Sequence, residues 1–294
     1  MAPSGATVLH NTASATADNA PTVGPATSDV PVGLSTTCNP CGAVGAGTGL
    51  RNRDHGDITI TGIPSGASVG RAVLVWSILY NGPTPPNTIT FAGQPVAADL
   101  TQTISGSLCW TDTATIGYAA DVTQFVSGNG TYVVSDPPRG TTRPDSDPQG
   151  TMPYTDGASL IVFYTGGGAN NQVLSDFSYD TNTDTGNAID RTFSGINSVG
   201  GSASILLAGP DGQGNGGETF EFSGSGPITL FDTWDGSDPQ FNGPFSGGFG
   251  TLWDTDRYDM SSIVPAGQTS LSFHTGLTGD CIGVGAAVLQ VSQS

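Results

Sequence analysis

The sequence predicts an all-β protein: two tandem, internally duplicated jelly-roll-like β-sandwiches preceded by an extended N-terminal arm. Three observations predict it. The 294 residues hold 44 Gly and 20 Pro, which serve tight turns and oppose helices. Short apolar runs recur at the 8–12-residue spacing typical of sandwich strands. The order of those runs is repeated in the second half of the chain, and an internal repeat lets the fold of each part be read from the other.

Taken in order, residues 1–45 are Ala, Thr, Ser, Pro and Gly with little apolar patterning and read as an arm too poor in apolar groups to order itself. Its Thr/Val segment Ala6–His10 could instead be donated to the sheet edge of another subunit. Residues 46–166 form the first sandwich, with strand candidates DITITGI, RAVLVWSILY, NTITFAG, LCWTDTATIGY, GTYVVS and ASLIVFY. Residues 167–294 form the second, with RTFSGI, SASILLAG, ETFEFSG, GTLWDTDRYD, TSLSFHT and GVGAAVLQV.

Asp121–Val126 aligns without a gap on Asp259–Val264, and Gly130–Val134 follows as Gln268–Ser272 does. Upstream, Gly62-Ile63 matches Gly195-Ile196 and Phe91-Ala-Gly93 matches Phe222-Ser-Gly224; downstream, Gly157–Phe163 matches Gly285–Val291. Asp121 and Asp259 are expected to cap a single helical turn by accepting backbone N–H groups. The apolar residues after each would plug one end of their sandwich.

GDITITGIP, RAVLVW, the Cys109-Trp110 strand, YAADVTQFVSGNGTYVV and the closing DCIGVGAAVLQV together resemble a family of secreted, Gly/Asp-rich bacterial and archaeal proteins known as domain of unknown function 3344. The resemblance spans residue 46 to the end. It implies a surface location and β-sandwich architecture, and it implies no catalytic residues.

All seven Lys+Arg residues are Arg, and the net charge is −18. Such a surface repels nucleic acid and anionic membrane and attracts cations. No apolar stretch reaches the ~20 residues of a membrane helix, so no membrane insertion is expected. The four Cys suit an oxidising compartment, and pairings Cys38–Cys41 and Cys109–Cys281 are favoured, closing loops that stabilise by about 2 and about 5 kcal/mol. MAPSGATVLH has neither a basic n-region nor an apolar h-region, so an extracellular or cell-surface protein would already have lost its leader.

Asp180, Asn182 and Asp184 place oxygens at alternate positions before Gly186, as a loop wrapping calcium requires. The pattern departs from the EF-hand, with Gly one place late and Arg191 where the bidentate Glu would stand, and a polar linker has the same composition. Residues 232–253 are a Gly/aromatic insertion without counterpart in the first half. Trp234, Phe241, Phe245 and Trp253 beside Asp235 and Asp238 would suit a surface glycan if exposed; the alternative is that Trp253 is core and the rest a self-packed loop.

Hydrolase readings fare poorly. Glu218 and Glu221 lie three apart, on opposite faces of a strand. His10, His55 and His274 accompany no nucleophile turn of the GxSxG type. The reading is therefore a non-enzymatic structural or adhesive surface protein, self-associating and stabilised by disulfides and calcium, with a carbohydrate-binding module as the alternative and a secreted hydrolase behind it.

Overall fold

The computed structural model describes residues 34–106, 110–140, 148, 150–182, 188–214, 217–277 and 281–294. In the first half these form β1 (Thr37–Gly49), β2 (His55–Ile60), β3 (Ala67–Tyr80), β4 (Thr88–Phe91), β5 (Gln94–Ala97), β6 (Leu100–Ser105), β7 (Ala114–Asp121), β8 (Gly130–Ser135) and β9 (Tyr154–Gly166). The second half gives β10 (Asn171–Asp176), β11 (Asp180–Asn182), β12 (Asp190–Ser194), β13 (Ala203–Pro210), β14 (Glu218–Ser223), β15 (Pro227–Phe231), β16 (Trp253–Asp259), β17 (Ser270–Leu277), β18 (Ile282–Val284) and β19 (Ala286–Ser292).

The pairing orders make each half a jelly roll. In the first, β1-β9-β3-β7-β6 lies over β2-β8-β4-β5; in the second, β10-β19-β13-β16 lies over β12-β17-β14-β15. Apart from the added edge strand β6, the two orders correspond strand for strand, the Greek-key arrangement of a jelly roll used twice.

The inner sheets are joined through β1. Its residues Thr37–Cys41 pair with β10, and Gly42–Gly49 pair with β9, so the strand leaves one sheet and enters the other. The change falls at a bulge bracketed by the Cys38–Cys41 disulfide, confirming one expected pairing. Cys281 is disulfide-bonded as well, and its expected partner Cys109 lies outside the described residues.

Folding the joint sheet about β1 stacks the two inner sheets face to face. Leu74, Trp76, Leu160 and Val162 point into the first sandwich core. Their alternate neighbours Val73, Val75, Ile161 and Phe163 pack instead with Leu206, Ala208, Ala286, Val288 and Trp253 of the second half. Ile205, Leu207 and Leu289 turn the other way, into the second core. Four sheets thus enclose three apolar layers. The inner strands are buried on both faces, so β3 reads RAVLVWSILY without alternation, while the outer β2 and β14 alternate strictly.

Two expectations change. The arm does not reach residue 45, because β1 begins at Thr37; residues 1–33 lie outside the described residues. CGAVGAGTG lacks an ordinary strand signal because β1 is squeezed between layers. A Cβ on Gly45 would lie 2.8 Å from the Leu206 side chain, and one on Gly47 would lie 2.2 Å from Asp238 Oδ2 and from Thr255 Oγ1. The alignment of Gly130–Val134 on Gln268–Ser272 also slips. Tyr132 and Val134 are buried, and their counterparts are the buried Leu271 and Phe273 rather than the half-exposed Ser270 and Ser272. A one-residue slip exchanges the faces of a strand, and the core selects the apolar one.

The repeated corner holds in atomic detail. Asp121 Oδ1 accepts the Thr123 N–H at 3.0 Å and its hydroxyl at 2.6 Å; Asp259 Oδ1 accepts the Ser261 N–H at 2.9 Å and its hydroxyl at 2.5 Å. Those hydroxyls then accept the N–H of Ala72 and Ala203, at 2.9 and 3.0 Å. The turns that follow are single 3-10 turns, Thr123–Phe125 and Ser261–Ile263, whose N-cap positions are Val122 and Met260. The two Asp therefore stand one residue ahead of the expected cap position and hold the turn through its first residue.

Candidate functional site

Strands alternate direction, so the β1–β2, β3–β4, β6–β7 and β8–β9 connections share one end of the first half, and the β10–β12, β13–β14, β15–β16 and β17–β19 connections share one end of the second. Contacts bring these two ends together. Gly49 donates its N–H to the Pro239 carbonyl at 2.8 Å, and the Trp110 indole N–H donates to Asp211. Gln240 Oε1 accepts from Arg53 at 3.3 Å.

The sequence places two of its rare cations here, in Leu50-Arg51-Asn52-Arg53. Arg51 is fully buried, its Nε donating to Asp156 Oδ1 at 2.6 Å, with the Trp110 and Tyr154 rings 4.3 and 4.8 Å from its guanidinium carbon. Asp156 is also fully buried. Burial pushes its carboxyl up to about 6 despite Arg51, and the Asp112 carboxylate adds to the rise. Arg53 reaches across to the insertion, donating to the Gly243 carbonyl at 3.2 Å and lying 5.2 Å from the Phe245 ring.

The insertion, residues 232–252 between β15 and β16, is organised from within. Asp254 accepts the backbone N–H of Gly236 at 2.8 Å and of Ser237 at 2.9 Å. Burial, with Asp256 and Asp238 nearby, pushes Asp254 up to about 8 against those two bonds. A directed hydrogen-bond chain crosses the seam. The Trp253 indole N–H donates to Ser159 Oγ (2.8 Å), Ser159 and Thr255 hydroxyls are 2.6 Å apart, and Thr255 donates to Asp238 Oδ2 (2.6 Å). Each hydroxyl has one proton, so the chain runs in one direction and needs an acceptor at Asp238. Burial pushes Asp238 up to about 7, with the Thr255 hydroxyl opposing and Asp256 adding.

Placement of the expected site residues follows from this packing. Trp234 and Trp253 are not an exposed platform: both are buried, Trp234 donating its indole N–H to the Pro210 carbonyl at 2.9 Å and Trp253 lying on Gly157. An indole buried with its N–H satisfied gains more than an exposed one. Phe245 is buried too, and Asp235 is exposed. Of the four aromatics only Phe241 is exposed, its ring tilted 45° against that of His55 with centroids 4.1 Å apart. Together with Thr48, Asp57, Pro239 and Gln240 they line a crevice of about 180 Å³.

In the candidate calcium loop, Asn182 is buried and donates its amide to the Thr275 carbonyl and hydroxyl, each at 2.9 Å. Asp180 Oδ2 lies 3.4 Å from Arg191, and Asp184 lies outside the described residues. No group of three or more His, Cys, Asp or Glu placed to hold a metal is found among the described residues. Glu218 is buried, accepting the Trp234 backbone N–H at 2.8 Å, while Glu221 is exposed, as their spacing requires. Sequence reasoning missed Arg51, Asp156 and Ser159, whereas Asp254 stood out in the acidic segment Asp254-Thr-Asp256 that flanks the insertion. The one legible signal for the missed residues was the pairing of Arg51 and Arg53 in a chain with so few cations.

No protein-family model matches the chain, and no curated protein is similar enough to match. Solved structures similar to it include the major capsid protein P2 of bacteriophage PM2, at 10% identity over 86% of this chain and 98% of that one, TM-score 0.24. Infectious bursal disease virus VP2 is similar at 11% identity over 88% and 72%, TM-score 0.22. So is VP54 of PBCV-1, fitted into a reconstruction of the virophage Sputnik, at 8% identity over 87% and 96%, TM-score 0.23. Superpositions at these scores carry no argument, and the jelly-roll assignment rests on the strand orders above. No helix among the described residues is long and apolar enough to cross a membrane.

Proposed function

We propose that this is a structural or adhesive surface protein of the extracellular space, a self-associating building block rather than an enzyme. The observation that supports it most is the use of polar side chains where the two halves meet: Arg53 donates to Gln240 and Gly243, Trp110 donates to Asp211, and Trp253 and Thr255 meet Ser159. A body braced in this way resists shear between its halves, which a load-bearing subunit needs. Calcium would add to it at the Asp180–Asp184 loop if Asp180 exchanged Arg191 for the ion. Negative-stain electron microscopy of the native protein, with calcium and then with a chelator, tests the reading. Ordered fibres or sheets support it; monodisperse particles under both conditions overturn it.

A second reading, glycan binding, is favoured by the crevice at the seam. Phe241 offers the exposed aromatic face, and Asp57 a carboxylate for sugar hydroxyls. Retention on immobilised glycans that is lost in Phe241→Ala and kept in Asp235→Ala would support it.

A further inference from the structure

We propose that two copies of the chain associate edge to edge through β15, forming one eight-stranded outer sheet across a two-fold axis at Thr229. The inference rests on the self-association reading above and names its interface.

β15 ends the β12-β17-β14-β15 sheet, and its residues Pro227, Thr229 and Phe231 are exposed, Phe231 at 66%. The direction of its free backbone groups can be worked out. Asp232 donates its N–H to the Glu218 carbonyl of β14 at 3.2 Å. Backbone polar groups alternate sides along a strand, so those of Leu230 and Ile228 also face β14, and those of Phe231, Thr229 and Pro227 face outward.

An antiparallel copy centred on Thr229 then pairs every outward N–H of both strands. Thr229 exchanges two hydrogen bonds with its own symmetry mate, and each Phe231 N–H donates to a Pro227 carbonyl of the other copy. Pro227 has no N–H to leave unpaired, and it ends the ladder there. On the exposed face each Phe231 ring covers the other copy's Pro227. On the inner face Ile228 and Leu230, both partly buried against the second core, meet Leu230 and Ile228 of the partner copy and continue the apolar layer. The contact is isologous, as a two-fold interface must be.

Charge selects this edge over the others. On a chain of net charge −18, a second copy can approach closely only where the surface is neutral. Ser223 through Phe231 carries no charge. The edges β2, β12 and β16 carry Asp57, Asp190 with Arg191, and Asp254, Asp256 and Asp259. The equivalent edge of the first half, β5, holds Pro95 within a four-residue strand, a common device against edge pairing. β6 is uncharged, but its exposed face carries only Thr101, Thr103 and Ser105, with nothing to match Phe231.

Sedimentation velocity on the full chain over a range of concentrations tests the proposal. Wild type and Thr229→Val should dimerise. Thr229→Pro, which removes the outward N–H, and Phe231→Asp should each weaken association more than roughly tenfold while matching the wild-type thermal midpoint at concentrations where wild type is monomeric. Raising the salt from about 10 mM to physiological ionic strength should tighten the dimer, because the Glu221 residues of the two copies would sit about 14 Å apart, within a Debye length of about 30 Å at the low end and beyond one of about 8 Å at the high end. An oligomer that both variants leave intact overturns β15 as the interface and spares self-association. A monomer at every concentration and salt level overturns both.

Discussion

The corner after β7 and the corner after β16 are one structure made twice; the connections leading into those strands are not alike at all. Both corners use a carboxylate, a hydroxyl and an Ala N–H in the same relation, Asp121–Thr123–Ala72 and Asp259–Ser261–Ala203. Before β7 the chain adds the edge strand β6, whereas before β16 it inserts residues 232–252 across the loop end of the other half. Duplicated segments therefore close each sandwich and supply the inner sheets that face each other, and the segments that differ seal the seam at the loop end.

The most severe disruption is to leave a buried charge alone at the loop end of the first half, beside the seam. Arg51→Met strands Asp156, and Asp156→Asn strands Arg51; either should cost about 3–5 kcal/mol, while replacing the pair with apolar residues together should cost far less. Urea unfolding of the singles and the double checks this. Next in size, Trp253→Ala opens a cavity between halves and should cost about 3–5 kcal/mol. Its complement Gly157→Ala, whose Cβ would come 2.3 Å from the Trp253 ring, should cost about 1–3 kcal/mol by overpacking. Equal losses from changes confined to one half's outer sheet would erase the distinction.

Stability against pH reports the same seam. Asp156, Asp238 and Asp254 have folded values raised to about 6, 7 and 8, above the ordinary carboxylate value. Between that value and the folded ones the folded state binds more protons than the unfolded chain, so stability falls as pH rises. The thermal midpoint should therefore be higher at pH 5 than at pH 8. Asp238→Asn should flatten the profile, since an amide still offers Thr255 an acceptor oxygen. The corners behave oppositely: against its partial burial, the Thr123 hydrogen bonds and the Arg71 charge hold Asp121 below the ordinary value, and the Ser261 hydrogen bonds hold Asp259 there, so their contribution is lost only as pH falls below it.

The smallest effects sharpen the likeness rather than the difference. Asp121→Ala and Asp259→Ala should each lower stability by about 1 kcal/mol, and by amounts within a few tenths of each other if the repeated geometry carries repeated energetics. Differential scanning calorimetry of the two variants decides it.

Much of this was open to reading in the primary structure. Twelve of the strands, their turns and the repeated corner show as local pattern, because an outer strand with one wet face must alternate and a turn must use Gly, Pro, Asp or Asn, whereas β1, β5, β6, β10, β11, β15 and β18 were not legible. The disulfide of CNPC needed only proximity in sequence. The candidate site was read poorly. Trp234 and Trp253 suggested a surface platform because composition says nothing about which face of a strand meets a second sheet, and Arg51 and Asp156 are 105 residues apart.

By itself, then, the sequence determined the fold class, the duplication and the two sandwich cores, since each depends on hydrophobic period and turn chemistry within a few residues. Only the tertiary structure decided that the inner sheets stack, that β1 is a shared strand rather than part of an arm, and that the insertion seals the seam. Those outcomes depend on burying the second face of strands already buried on the first. Runs such as RAVLVWSILY permit that burial without specifying its partner, and the small residues of β1 make room for it only once the opposing layer is in place.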